Sequence, residues 1–144
     1  MATGPAQLTP QEAVITLMIA TSASDGSIND HELRTIGRVV RSFPLFSPEH
    51  EESLVQLSEE AGALLGSEGG LHKVMAAAAD ILPEHLTETA YAAVVDVATA
   101  DESINFAEIR MLELVRDALK ISDDGAAAIE HAARARHMTL EVPT

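Results

Sequence analysis

The chain has no cysteine and no tryptophan, and aromatic residues make up only 3% of its 144 positions. Without cysteine, disulfides, thiolate chemistry and cysteine-based zinc sites are excluded. With so few aromatic rings, a core must be built from Leu, Ile, Val, Met and Ala, which suits close-packed helices. Cations are scarce too: 9 Lys plus Arg stand against 23 Asp plus Glu, a formal charge of −14. That balance argues against sequence-independent nucleic-acid binding, which needs cations along the phosphates, and against docking on anionic membrane surfaces. It favours solubility, divalent cations and basic protein partners. Val14 to Ala20 is apolar apart from Thr16 but far too short to cross a bilayer, so no membrane insertion is expected. Met1 to Gln7 has neither a basic region nor an apolar run, so the expected location is cytoplasmic.

What the chain does have is a repeat. Asp25-Gly26-Ser27-Ile28-Asn29-Asp30-His31-Glu32-Leu33-Arg34 returns 76 residues later as Asp101-Glu102-Ser103-Ile104-Asn105-Phe106-Ala107-Glu108-Ile109-Arg110, with six of ten positions identical. Much of this is helix-start chemistry. Asn29 and Glu32 are spaced as N-cap and N3 of a capping box, and Ile28 and Leu33 as N′ and N4 of a hydrophobic staple. Asn105, Glu108, Ile104 and Ile109 repeat every part. Capping leaves Asp25/Asp101, Ser27/Ser103 and Arg34/Arg110 less well explained, so a function in the motif begins with them.

Taken in order, residues 1–8 read as a loose arm. Thr9-Pro10-Gln11-Glu12 starts a helix with Thr as N-cap, Pro at N1 and Glu at N3. It runs to about Ala23 and is apolar on most faces, so a central place is expected. A second helix covers Asp30 to Ser42, with Leu33, Ile36, Val39, Val40 and Phe43 as its buried stripe. Ser47-Pro48 opens a third, read as continuous to Leu65. Gly66 to Gly70 reads as a hinge-like loop, Leu71–Leu82 as an Ala-rich linking helix, and Glu84 or Thr87 to Thr99 as a fifth helix. A sixth runs from Phe106 to Leu119, with Ile109, Leu112, Val115 and Leu119 facing inward. Ser122 caps a seventh that ends near Met138, with Arg134, Arg136 and His137 suited to the helix dipole. Residues 139–144 are a tail. No stretch alternates with the period of a strand. The expected fold is all-α, about seven helices, with a three-helix repeat over 9–65 and another over 84–138, joined by the linking helix at 71–82.

The candidate chemistry is acidic. Asp25, Gly26, Ile28 and Glu32 fit the latter part of an EF-hand loop, but its first ligand positions fall on Thr21 and Ala23, and in the second copy on Val97 and Thr99, which a calcium loop does not tolerate. A composite site is the stronger alternative: if the repeats face each other, Asp25 and Asp101 meet, with Glu32, Glu102, Glu108 or Asp96 nearby. Asp96 is the most suggestive of these, because it interrupts an apolar helix. Such hard oxygen ligands suit a divalent cation, Ca²⁺, Mg²⁺ or Mn²⁺. The structural alternative is that the Asp residues end helices and the Glu residues only cap. His31, His50, His72, His85, His131 and His137 form no HExxH and no i, i+4 pair, and read as surface residues. Arg34, Arg38 and Arg41 share a face that could dock an acidic partner, or pair with the carboxylates of the next helix. Neither a nucleophile elbow nor a phosphate-cradling loop is present, so no enzyme is expected.

The doubled Asp-(Gly/Glu)-Ser-Ile-Asn-x-x-Glu motif, the helix count, the length and the acidity resemble the TerB family of tellurite-resistance proteins, over about residues 9–138. A related domain stands at the front of a membrane-anchored J-domain co-chaperone. Glu102 in place of Gly departs from the pattern. The resemblance implies a cytoplasmic, non-enzymatic helical module of stress resistance. It also implies protein partners that include a membrane-embedded Ter protein, and an acidic surface that takes metal through Asp25, Glu32, Asp101 and Glu108. The alternatives are a metal-dependent hydrolase or lyase using the paired carboxylates, and a purely structural adaptor.

Overall fold

A helix that is apolar on most of its faces has to be surrounded, and this requirement sets the architecture. The computed structural model describes residues 8–23, 28–100 and 106–142. Among them are eight α-helices, one 3-10 turn and no strand. α1 (Pro10–Ser22) is buried at every position from Ala13 to Ser22. It packs against five later helices: α2 (Asp30–Ser42), α4 (Leu54–Leu65), α5 (Gly70–Ile81), α6 (Thr87–Ala98) and α7 (Phe106–Leu119). Two of its three buried hydroxyls are satisfied inside the helix, Thr16 donating to the Glu12 carbonyl at 2.8 Å and Thr21 to the Leu17 carbonyl at 2.9 Å, so these two are not left unpaired in the core. α6 is the other central element. It buries Ala90, Tyr91 and Ala93 through Ala98, and α8 (Asp123–Arg136) lies against it.

The starts of α1 and α2 are formed by the side chains that sequence spacing singles out. Thr9 and Glu12 close a reciprocal box at 3.0 and 3.1 Å. Asn29 and Glu32 close another, the Glu32 amide donating to Asn29 Oδ1 at 2.8 Å and the Asn29 amide to Glu32 Oε1 at 2.9 Å. Such a cap contributes about 1 kcal/mol. The matching cap residues ahead of α7, Ile104 and Asn105, lie outside the described residues.

Three expectations change. The helix read as continuous from Pro48 to Leu65 is two, α3 (Pro48–Glu52) and α4, meeting at Ser53. The Ser53 amide is shared between the Glu49 and His50 carbonyls, which tightens the last turn of α3. α3 buries nothing, whereas α4 buries Leu54, Leu57 and Ala61. The break therefore lets the charged segment lie outside while the apolar one turns inward. Secondly, the stripe of α7 is rotated. Met111, Val115 and Leu119 are buried, but Ile109 is 44% exposed. Thirdly, the turn from Gly66 to Gly70 is pinned and not hinge-like. The Ser67 hydroxyl donates to the Leu64 carbonyl at 2.6 Å and the Gly70 amide to the Ser67 carbonyl at 2.9 Å. Gly69 takes φ 66°, the left-handed region open to glycine.

Candidate functional site

The repeated turns sit where a buried helix hands over to a half-exposed one: α1 to α2, and α6 to α7. The packing is reciprocal. α2, which leaves the first turn, lies against α6, and α7, which leaves the second, lies against α1. Asp25 and Asp101, the acids that capping does not explain, lie outside the described residues.

The other acids singled out by sequence are in place. Glu32 is half-buried in the first turn of α2, where Oε1 is taken by the Asn29 amide; its second oxygen has a further lone-pair set to offer. Glu108 occupies the corresponding first turn of α7, also half-buried. Asp96 is buried at 8% exposure near the end of α6. Arg136 Nη2 donates to its Oδ1 at 2.5 Å and His137 Nε2 stands 3.5 Å from the same oxygen. A carboxylate taken out of water needs such a partner, and here the partner is the last turn of α8. Among the described residues no group of three or more His, Asp or Glu could hold a metal ion, so Glu32, Asp96 and Glu108 do not form a site by themselves.

The arginine face of α2 divides. Arg41 pairs with Glu51 of α3, the pairing that spacing suggested as the alternative to partner binding. Arg38 donates to the Thr35 hydroxyl at 3.3 Å. Arg34 is exposed and forms no ion pair among the described residues. In the second copy Arg110 pairs with Glu113 at 3.4 Å on an exposed face, worth little in water. Five of the six histidines are exposed; the sixth, His50, is half-buried. Its Nδ1 lies 3.0 Å from the Ser47 amide, doing at N3 of α3 what Glu does in a capping box. His50 was not identifiable as a cap from a motif that asks for Glu or Gln.

Sequence reasoning also missed a second pin between α6 and α8. Tyr91, 1% exposed, donates its hydroxyl to Glu130 Oε2 at 2.5 Å. Burial, and then the Glu130 carboxylate, hold the phenol well above its ordinary pKa. Because the folded-state value is raised, the contribution to stability is present below the unfolded tyrosine pKa of about 10 and is lost as pH rises beyond it. Tyr91 is the only tyrosine, so ultraviolet titration reads it alone. We expect no tyrosinate signal while the protein is folded, and an alkaline fall in stability that Tyr91→Phe reduces. At neutral pH, Tyr91→Phe is expected to cost about 1–2 kcal/mol in urea unfolding. An unchanged urea midpoint would show that the Glu130 bond contributes nothing net.

The family model described as "Tellurite resistance protein TerB" matches residues 11–131. Neither the curated proteins nor the solved structures gave a match.

Proposed function

The chain belongs to the TerB family of tellurite-resistance proteins, and from that membership we propose that it is a non-enzymatic interaction and sensor module whose paired turns take a divalent cation. The observation that carries the reading is the doubled motif set in reciprocal packing, α2 on α6 and α7 on α1. Helix capping has a use for Asn29 and Glu32 but none for Asp25, and the same acid recurs as Asp101. Asp25 and Asp101 are the primary ligands, with Glu32 and Glu108 offering oxygens from the first turns of α2 and α7. Asp96 joins only when a cation displaces Arg136, because its Oδ1 already accepts from that side chain. Oxygen-only donors select Ca²⁺, Mg²⁺ or Mn²⁺ over softer metals.

The module works in the cytoplasm on protein partners, one of them a membrane-embedded Ter protein, and not on nucleic acid. No helix of the described residues is long and apolar enough to cross a membrane. Arg34 and Arg38, exposed on α2 beside the first turn, are the docking cations, and Arg41 follows when it leaves Glu51. Cation binding at Asp25 would be felt at the start of α2 and so at how this face is presented.

Amide NMR during addition of Ca²⁺, Mg²⁺ or diamagnetic analogues tests the location. Shifts concentrated at Ile28–Glu32 and Phe106–Glu108, with α3 to α5 unmoved, are expected. Shifts spread evenly over the acidic surface would mean diffuse counter-ion binding and would end the reading.

A further inference from the structure

We propose that His50 is an acid-sensitive clasp on α3: neutral, its ring caps the helix; protonated, it lets go, and Glu51 then releases Arg41 of α2. A backbone donor faces a ring nitrogen here. The Ser47 amide donates to His50 Nδ1 at 3.0 Å, and Ser47 Oγ stands 3.1 Å from the same nitrogen. A backbone amide can only donate, so this Nδ1 carries a lone pair and neutral His50 keeps its ring proton on Nε2. Protonation puts an N–H on Nδ1, against the amide, and the ring has to turn away. The new charge also stands at the positive end of the helix dipole. The Glu residues that cap α1 and α2 from the same position stay acceptors over the whole histidine range.

Little else holds α3. It has five residues and buries none of them, and a helix that short does not stand alone in water. Its end is tied by the Ser53 amide and its side by the Arg41–Glu51 pair, whose side chains are 56% and 34% exposed. An ion pair that open contributes little, so the cap at Ser47 carries a large share. The Phe46 ring packs against the core and meets the His50 ring edge-on at 6.0 Å, which sets where the imidazole sits.

The surrounding charges offer the ring no other partner. α3 itself carries Glu49, Glu51 and Glu52, which draw a proton onto the imidazole. α2 meets α3 near Gly37 and Arg41, with Arg38 between them on Thr35; both arginines oppose that proton. α4, also packed on α3, carries Glu59 and Glu60, and Glu60 accepts from Gln56. None of these groups is ion-paired with His50 among the described residues.

Acidity thereby reaches Arg41, whose use as a docking cation rests on the function proposed above. The clasp itself is measured on the full chain with neither cation nor partner present, so it stands or fails apart from that reading. Ring-nitrogen NMR at about pH 8 should show His50 as the Nε2–H tautomer, and lowering the pH to about 5 covers the histidine range. Over that range the Cα shifts of α3 should lose helical character, its helix-to-coil ratio falling roughly fivefold, the size of a lost cap. The Arg41 side-chain signal should move with them while α1 and α6 stay unchanged. His50→Gln supplies an acceptor that does not titrate and should keep α3 helical throughout. His50→Ala should show the loosened α3 already at the alkaline end. An Nδ1–H tautomer at the alkaline end overturns the proposal. So does a protonated ring with α3 unchanged, or an Arg41 signal that ignores the loosening. An equal acid response in His50→Gln also overturns it, since the change would then come from the carboxylates.

Discussion

Leu17→Ala is expected to lower the unfolding free energy by about 2–5 kcal/mol, against a total of about 5–15 kcal/mol for an ordinary domain. Leu17 is completely buried in the middle of α1, and α1 touches five other helices. A side chain enclosed by so many elements leaves a void that no single neighbour can move to fill, since closing it against one helix opens it against another. The upper half of the range is therefore the expectation. Urea unfolding followed by circular dichroism measures it, and Val55→Ala is the control. Val55 is apolar too but 59% exposed, so its truncation should stay within about 0.5 kcal/mol. A loss below about 1 kcal/mol for Leu17→Ala would mean that α1 is not the enclosed centre described above.

Gly70→Ala is expected to be at least as damaging as an overpacked core, about 3 kcal/mol or more. A methyl at that position would lie 2.1 Å from the Leu64 carbonyl oxygen and 2.9 Å from that of Leu65. Both atoms are backbone at the end of α4, and the turn holding them is fixed by Ser67, so relief requires α4 and α5 to move apart. α5 packs on α1, α4 and α7, and that displacement loosens all three contacts. Gly62→Ala gives the opposite sign. Nothing lies within 4 Å of a methyl there, the position is inside α4, and alanine should stabilise by about 0.5–1 kcal/mol. Equal effects from the two substitutions would mean that the α4–α5 turn is free to relax.

These two residues also show what the sequence made legible. α1 was readable as central because its apolar residues cover most faces, and the burial from Ala13 to Ser22 agrees with that pattern. The start of α2 was readable because a capping box needs two residue types three apart. Gly70 read as part of a flexible loop, because glycine is equally the residue of hinges and of close approach; only the position of the Leu64 carbonyl decides between them. The break at Ser53 was hidden for a related reason. No Pro or Gly marks it, and it arises from α3 lying outside the core while α4 enters it.

For the candidate site, local chemistry was legible and long-range pairing was not. Asp96 stood out as an acid in an apolar helix, yet its partners Arg136 and His137 were assigned only to the dipole of their own helix. They lie some forty residues further along, a separation at which one sequence carries no spacing signal. Tyr91 and Glu130 are the same case at 39 residues. Ile109 was placed inward by helical spacing, but the stripe that α7 buries is centred on Met111 and Val115. The arrangement of helices around α7, and not its own periodicity, decides which residues face in.

As proposed above, Asp25 and Asp101 act as cation ligands and not as helix-end residues. Calorimetric titration of chelator-treated protein with Ca²⁺, Mg²⁺ and Mn²⁺, beside the same titration of Asp25→Asn/Asp101→Asn, decides between the two roles. Saturable binding is expected, with a dissociation constant on the order of micromolar, within the range of oxygen-donor sensor sites, abolished in the double variant while its helical content is unchanged. Absence of binding, or binding that the double variant retains, would contradict it and return both acids to a capping and solvating role.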